Sequence, residues 1–427
     1  MSANAAPESA RFQVVKNREG RYSLWPAHKQ PPAGWNVVHP SGTRDECLAL
    51  VSESWPDLRR AAPVKTRAKL QLGLMFFGGM EDPASRDKYG LLLDCARFAD
   101  ANGFSAIWLP ERHFTSMGCL YPSPAVLHAA LARETEHIRL RAGSVVLPLH
   151  NPIRVAEEWS VVDNLSGGRA EISFAPGWNA ADFTFFPERY ARRHDEMFAA
   201  IPTVDALWAG QTVSVPSGDG STAKVRIYPT PVQKRLPKWV TAAGNPRSFE
   251  RAGEAGCDLL THLFDQDVNE LAERIRLYRE GRKRGGHDPA AGRVAVTLHT
   301  FVADSLDEVV RHARKPFCNY LKSNTKLLES FAASRGMAVS LSSLTPEQLD
   351  EVVGFIFEKF YRGRSLLGTP ETCAALVEEL AKVGVDEVAC LIDFGPSPDA
   401  IRASLPHLCR LKERCAAGPA GINPAAR

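Results

Sequence analysis

The residues of this chain best suited to chemistry fall in short polar or glycine-rich groups. Pro110-Glu111-Arg112-His113-Phe114 sets a carboxylate, a guanidinium and an imidazole side by side. Histidine titrates near neutral pH, so His113 is the leading candidate for a general acid or base, with a purely structural role as the alternative. His150, within His150-Asn151-Pro152, and His262 are further imidazoles that either line a substrate pocket or serve packing. Gly244-Asn245-Pro246-Arg247-Ser248 has the composition of a turn opening a helix. Gly244 would let the backbone approach a ligand, and Asn245 belongs to the same turn. Ser248 could donate a hydroxyl or cap the helix, and Arg247 could neutralise charge. Such a helix N-terminus suits an anion, a phosphate above all. Phe76-Phe77-Gly78-Gly79, Gly143-Ser144 and Pro176-Gly177-Trp178-Asn179 add small and aromatic residues that would let a flat ring lie close to the backbone.

These groups stand at the ends of short apolar runs. The runs Leu70–Phe76, Ala106–Leu109, Arg139–Leu147, Ala170–Ala175, Trp239–Ala242, Asp258–His262, Val294–Val302 and Glu387–Ile392 read as buried strands. Helical periodicity lies between most of them, as over Tyr89–Ala101, Ile153–Leu165, Ser248–Ala255 and Val268–Arg284. Eight strands alternating with helices predict an α/β fold, a (β/α)8 TIM barrel, with active-site residues at the C-terminal strand ends. Two insertions are expected: a hairpin over Gln211–Tyr228 and a long helical stretch over Leu306–Tyr361. Gly368-Thr369-Pro370-Glu371 is expected to introduce the final helix.

The first 65 residues have a different texture. Trp25, Trp35 and Trp55 fall close together; Val14-Val15 and Arg21–Trp25 read as strands. Pro31–Gly34 reads as a turn, and residues 44 to 55 read as a helix with Thr43 as N-cap. This predicts a small α+β domain over residues 1–65, a linker near Pro63–Lys69, and the barrel over 66–427. Across all 427 residues the net charge is only +3, evenly spread and with no block of five or more like charges, which argues against a nucleic-acid footprint. No apolar run is long enough to span a bilayer and the N-terminus lacks a signal pattern, so a cytoplasmic protein is expected. The nine cysteines are scattered without CxxC pairs and read as buried thiols. No dinucleotide fingerprint, P-loop, HExxH or Cys/His cluster is present, so no metal is expected.

Two resemblances follow. Asn17-x-Glu19-Gly20-x-Tyr22-Ser23-Leu24-Trp25-Pro26, Pro32-Ala33-Gly34-Trp35, Gly42-x-Arg44-x-x-Cys47-Leu48 and Trp55-x-Asp57-x-Arg59 resemble the MbtH-like proteins, with Pro56 where that family usually has threonine. This resemblance implies binding to an adenylation domain of a nonribosomal peptide synthetase. Trp25 and Trp35 would form a slot for a small partner side chain, flanked by Ser23 and Leu24.

Trp108-x-Pro110-Glu111-x-His113-Phe114, Gly143-Ser144-Val145-Val146-Leu147-Pro148, Asn164-Leu165-x-Gly167-Gly168-Arg169 and Gly177-Trp178-x-x-x-Asp182-Phe183 resemble the luciferase-like monooxygenases, in particular the subgroup associated with peptide and polyketide synthetases. The resemblance implies reduced FMN from a separate flavin reductase, O2 as co-substrate, and an amino-acid-derived, carrier-protein-tethered substrate hydroxylated at carbon or nitrogen. Phe76, Gly143, Ser144, Gly177, Trp178, Asn179, Gly244, Asn245 and Ser248 would contact the flavin, its phosphate lying at Gly244–Ser248. An unusual peptide bond is expected at Gly143-Ser144. Luciferases proper carry two histidines after the glutamate, the first linked to light emission; Arg112 in that place argues against bioluminescence. Arg112 could instead hold a carboxylate, a phosphopantetheine phosphate or a peroxide, with Glu111 as its partner. A homodimer is common in the superfamily. The alternatives are a deazaflavin-dependent dehydrogenase and a non-catalytic scaffold for the synthetase.

Overall fold

A computed structural model describes residues 11–17, 22–32, 34–44, 46, 47, 50, 70–79, 86–323, 329 and 344–417. The chain divides into two compact units, Met1–Ala68 and Lys69–Arg427.

The first unit is a three-stranded antiparallel sheet in the order β2-β1-β3, from β1 (Phe12–Asn17), β2 (Tyr22–Pro26) and β3 (Trp35–Gly42). Sequence reading anticipated the first two strands and passed over β3, whose pairing with β1 shifts register twice. Val14, Val15 and Cys47 are buried. Thr43 caps the start of the following helix: Glu46 N donates to Thr43 Oγ1 at 3.3 Å, and Thr43 N donates to Glu46 Oε2 at 2.9 Å. Trp55, with the rest of the expected helix past residue 50, and the linker at 63–69 lie outside the described residues.

In the second unit, β4 (Gln71–Met75), β5 (Ala106–Leu109), β6 (Arg139–Val146), β7 (Ala170–Ala175), β10 (Lys238–Thr241), β11 (Asp258–His262), β12 (Val294–Val302) and β14 (Glu387–Leu391) form a parallel sheet. β11 also pairs with β12, and this closes the eight strands into a barrel. The insertion hairpin is β8 (Val213–Pro216) and β9 (Thr222–Val225), and β13 (Leu366–Gly368) extends from β12. The helices have local causes. The one at Pro152–Ser166 starts on the Asn151 side chain, with proline in its first turn, and stops at left-handed Gly167. The one at Val268–Arg284 has an Asp267/Glu270 capping box and three basic residues in its last turn. Among the described residues, the expected insertion helix includes the separate helices Leu306–Lys322 and Pro346–Tyr361. Gly368–Glu371 opens the helix Pro370–Val383, which is not the last: Pro398–Ala417 follows β14. A capping sequence marks a helix start and carries no information on how many helices follow.

Strand alternation assigns each side chain to a layer. Met75, Trp108, Trp239, Leu260, Ala295, Ala389 and Leu391 pack together as one cluster with Phe77, whereas Leu72, Leu74, Phe76, Ile107 and Leu109 belong to a second cluster that includes the helices. Phe76 is 1% exposed and packs edge-on against Tyr121, 6.3 Å away. It is therefore a core residue facing the helices, whereas Phe77, one position on, packs against the inward-facing cluster.

A buried ion network holds the strands together near their N-terminal ends. Arg141 pairs with Glu171 at 2.8 Å and also with Glu387, and its guanidinium sits 4.9 Å from both the Trp108 and Trp239 rings. Trp108 and Trp239 donate their indole N–H groups to Glu387 and Glu171. Burial alone would raise the Glu171 carboxyl, but Arg141, Arg293 and Arg139 outweigh it and pull it down to about 2. A depressed carboxyl pKa contributes stability that is present above the unfolded value and lost as pH falls toward 2. Glu171→Ala leaves Arg141 short of a partner and is expected to cost about 3–5 kcal/mol at neutral pH. Urea denaturation checks this, and the loss should shrink as the pH is lowered.

Candidate active site

The segment Pro110–Phe114 follows the C-terminal end of β5 outside any strand or helix, and Glu111 and Arg112 take different partners. Glu111 is 6% exposed. Its Oε2 accepts from Val146 N at 2.7 Å, and its Oε1 lies 2.9 Å from His113 Nε2 and 2.6 Å from His150 Nε2. Burial would raise the Glu111 carboxyl, but the hydrogen bonds from His113 and His150 lower it below its ordinary value. An ionised carboxylate only accepts, so both imidazoles must donate from Nε2, which assigns their tautomers and leaves Nδ1 of each for other chemistry. Burial pushes the His150 pKa down, yet the Glu111 hydrogen bond and charge prevail and raise it.

The expected Glu111–Arg112 pair is absent among the described residues, because the Glu111 carboxylate is taken up by His113, His150 and Val146 N. Arg112 donates from Nη2 to Met117 O at 3.3 Å, and its guanidinium carbon lies 4.5 Å from the Phe77 ring centroid and 5.6 Å from that of Trp178. Aromatic residues surround the group. Phe114 holds φ at +54° and is exposed; its ring lies 5.5 Å from Phe185 and 5.7 Å from His113. A non-glycine residue in this region costs about 1–3 kcal/mol and persists only where its surroundings impose it. Trp178 is about half exposed, while Asn179 is buried, capping the turn Ala180–Phe185 and donating to Asp182 Oδ1 at 2.7 Å. Gly177 holds φ at +80°, and a Cβ there would come within 2.8 Å of Phe183 and Val146.

On β6 the Gly143–Ser144 peptide bond is cis. A Cβ on Gly143 would meet the Trp108 ring at 3.1 Å. The Ser144 hydroxyl bonds to that of Thr241, which also bonds to Ser173 at 2.8 Å. This row of three hydroxyls crosses β6, β7 and β10, and sequence reading found only its first member. Ser173 and Thr241 are inward positions near strand ends, which is the signal that would have found them.

At the end of β10, Asn245 rather than Ser248 caps the helix Pro246–Glu254, its Oδ1 accepting from Arg247 N at 3.0 Å. Arg247 is committed to Glu250 and Glu254 on the outer face of that helix. Gly244 N donates to Asp265 Oδ2 at 3.1 Å, so that backbone donor is already engaged. What the turn offers an anion is the partly buried Ser248, the helix dipole and a cation missed by sequence reading, Arg274, which donates to Gly244 O. His262 lies at the end of β11, where Phe264 N donates to its Nδ1 at 3.2 Å and burial lowers its pKa. Asp265 Oδ1 lies 3.5 Å from the same nitrogen and opposes that shift, and His262 makes no contact with Glu111, His113 or His150 among the described residues.

The structure thus gathers Glu111, His113, His150, Arg112 and Trp178 at one end of the barrel, with Gly143, Ser144, Gly177 and Asn179 on neighbouring strand ends. Phe76 is withdrawn into the core. Ser23, Leu24, Trp25 and Trp35 belong to the first unit. There, Ser23, Trp25 and Trp35 pair with Val15, Gln13 and Asn17, alternate positions of β1, and so share one face of the sheet. Leu24 falls on the opposite face and does not flank the tryptophans. Trp25 and Trp35 are each partly exposed, and Trp25 Nε1 donates to Gln30 O at 3.1 Å.

Comparison with known proteins bears on both units. Residues 71–387 match the family described as luciferase-like monooxygenase, and residues 1–67 match the MbtH-like protein family. The oxygenase component of flavin-dependent trigonelline monooxygenase from Acinetobacter baylyi is 27% identical over 342 residues, covering 77% of this chain and 90% of that protein. Limonene 1,2-monooxygenase from Rhodococcus erythropolis is 27% identical over 295 residues, covering 67% of this chain and 70% of that protein. Among solved structures, the oxygenating constituent of 3,6-diketocamphane monooxygenase from Pseudomonas putida, in complex with FMN, superposes with a TM-score of 0.64 at 18% identity, covering 82% of this chain and 98% of that one. Among the described residues, no helix is long and apolar enough to cross a membrane, and no cluster of metal-ligating side chains is present.

Proposed function

Since this chain belongs to the luciferase-like monooxygenase family, we propose that it uses reduced FMN and O2 to hydroxylate an amino-acid-derived substrate, tethered to a carrier protein, at carbon or nitrogen. A separate reductase supplies the reduced flavin, and the protein works in the cytoplasm. The observation that carries the reading is the pair of imidazoles fixed by one buried carboxylate at the C-terminal face of the barrel.

The residues present fit a flavin. The hydroxyl row of Ser144, Thr241 and Ser173 suits a polar ring edge, and glycines at 143 and 177 keep Cβ atoms off the wall. Ser248 and Arg274 suit a phosphate at the helix N-terminus. When bound, reduced FMN supplies the electrons that activate O2. The protein's part is orientation, water exclusion and proton management. His113 holds or delivers a proton at Nδ1, with Glu111 locking its tautomer. His150, on the same carboxylate oxygen, is positioned to exchange charge with it. Phe114, Phe185 and Trp178 keep water from the reacting centre.

Anaerobic titration of the full chain with reduced FMN, followed by rapid mixing with O2, tests the proposal. Saturable binding and a transient spectrum distinct from both reduced and oxidised flavin are expected. Absence of reduced-FMN binding rejects an FMN oxygenase and favours the deazaflavin dehydrogenase or the scaffold.

The first unit is proposed to dock on a synthetase adenylation domain through Trp25 and Trp35, raising the barrel's effective concentration near the tethered substrate. Rigid, partly exposed aromatics sharing a sheet face are effective anchors, and exposed Val37, opposite Val15, extends the same apolar face. Trp35→Ala is expected to weaken co-purification with an adenylation domain by roughly tenfold or more, as loss of an anchor of about 2 kcal/mol would. Reduced-FMN affinity should not move; its loss would sink the separation into two working units.

A further inference from the structure

Arg112 is 6% exposed and forms no ion pair among the described residues. Its Nη1 is buried without a hydrogen-bond partner among the described residues. Two carboxylates lie near enough to act on its charge, and neither touches it. Asp182 accepts from Asn179, and Asp393 accepts from the N–H groups of Phe77, Gly78 and Gly79 and from the Tyr121 hydroxyl. A buried cation with an idle donor is costly unless a bound molecule neutralises it.

The guanidinium is also held in place. Phe77 and Trp178 lie beside it, and Met117 O takes one Nη2 hydrogen. Gly118, at φ +76°, lets the following turn close on it: a Cβ there would sit 2.7 Å from Phe77 O and 3.0 Å from Arg112 Cγ. Trp178, 5.6 Å from the guanidinium carbon, is itself half exposed at the C-terminal end of the barrel. The nearby Arg189 and Arg193 spend N–H groups on the carbonyls of Pro148, His150, Gly177 and Tyr190. A single idle N–H on one fixed guanidinium suits a carboxylate, whereas a phosphate is met by several donors together.

We propose that Arg112 is a substrate-anchoring residue whose idle Nη1 binds an ionised carboxylate of the molecule to be oxidised. The inference rests on reading this face as the oxygenase active site and adds an ionised carboxylate to the substrate; its free-acid branch would replace the tethered substrate proposed above. The carboxylate is either the α-carboxylate of a free amino acid or the side-chain carboxylate of an acidic amino acid joined to its carrier. A neutral chain held as a thioester does not meet the requirement.

Saturation-transfer NMR on the full chain tests this, with the proteinogenic L-amino acids as probes, each as free acid, carboxamide and pantetheine thioester. Binding of acids and not of their amides is expected. Free acids alone identify the α-carboxylate; aspartyl and glutamyl thioesters alone identify the side chain. Arg112→Met should weaken the bound acid at least about tenfold, as loss of a charge-assisted hydrogen bond would, and Arg112→Lys should retain part of the binding. Reduced-FMN affinity should hold in both. Arg112→Met should also raise the thermal midpoint, because it removes an unpaired buried charge; a merely structural arginine would lower it. Equal binding of acids and amides, no acid bound in any form, acid binding unchanged in Arg112→Met, a lowered midpoint, or loss of reduced-FMN affinity in the variants each overturns the assignment. If the wild type binds acids through Arg112 but never reduced FMN, the oxygenase reading falls and the carboxylate site stands.

Discussion

Glu111→Gln is expected to cut turnover by about 10²–10⁴-fold, as much as His113→Ala, while reduced-FMN binding stays within about threefold. The substitution keeps the size of the side chain and destroys its pattern of acceptors. Glu111 receives three donors, from His113, His150 and Val146. A glutamine has one acceptor oxygen, so its NH2 must face either the Val146 N–H or the two imidazoles. In the second case each ring moves its proton to Nδ1, and the nitrogen left for chemistry changes from acceptor to donor. The pH profile separates this from simple loss of packing. Glu111 has a depressed pKa, so its contribution to stability is present above its unfolded value and lost as pH falls through the folded one. His150 has a raised pKa, so its contribution is present below the unfolded value and lost as pH rises through the folded one. Wild-type stability should therefore carry an alkaline limb due to His150, read by urea denaturation across pH. Glu111→Gln removes the charge that raises His150, so that limb should move to lower pH. An unmoved limb would mean that Glu111 does not govern His150, and the relay would fall with it.

The barrel was legible because its strands are buried on both faces and read as short apolar runs, unbroken in Ala106–Leu109, between helices with clear caps. The strand-end groups followed from the general placement of barrel active sites. Three kinds of information were not local. The first is parity: Phe76 and Phe77 are identical by type, and only closure of the barrel decides which of them faces in. The second is pairing between distant segments. Glu111 was assigned to its neighbour Arg112, whereas its partner His150 is 39 residues away. Thr241 and Ser173 gain meaning only beside Ser144. The third is irregularity: β3, with its register shifts, gives no clean alternation to read. Arg112 was found by its departure from the two-histidine pattern, but its idle nitrogen is a property of the folded chain alone.

Asp393 was overlooked altogether, and its replacement should cost as much stability as that of Glu171. It follows β14 and is buried, with its carboxylate accepting from Phe77 N at 2.8 Å, Gly78 N at 3.1 Å, Gly79 N at 2.8 Å and the Tyr121 hydroxyl at 2.8 Å. These bonds pin the turn after β4 to the end of β14, its neighbour in the barrel. A Cβ on Gly78 would come within 2.8 Å of Asp393 O, so the turn is glycine-rich because the two backbones nearly touch. Asp393→Ala strands four donors, each worth about 1–3 kcal/mol when left buried and unpaired, and partial relaxation should leave a loss of about 3–5 kcal/mol. Asp393→Asn should fare little better, because its NH2 would face backbone N–H groups that also donate. The turn carries Phe77, which lies against Arg112, so the damage should spread to the site: acid binding at Arg112 should weaken along with the urea midpoint. A variant that loses stability but binds acids as the wild type does would show that Arg112 holds its position without Phe77, and that Trp178 and Met117 are enough to aim it.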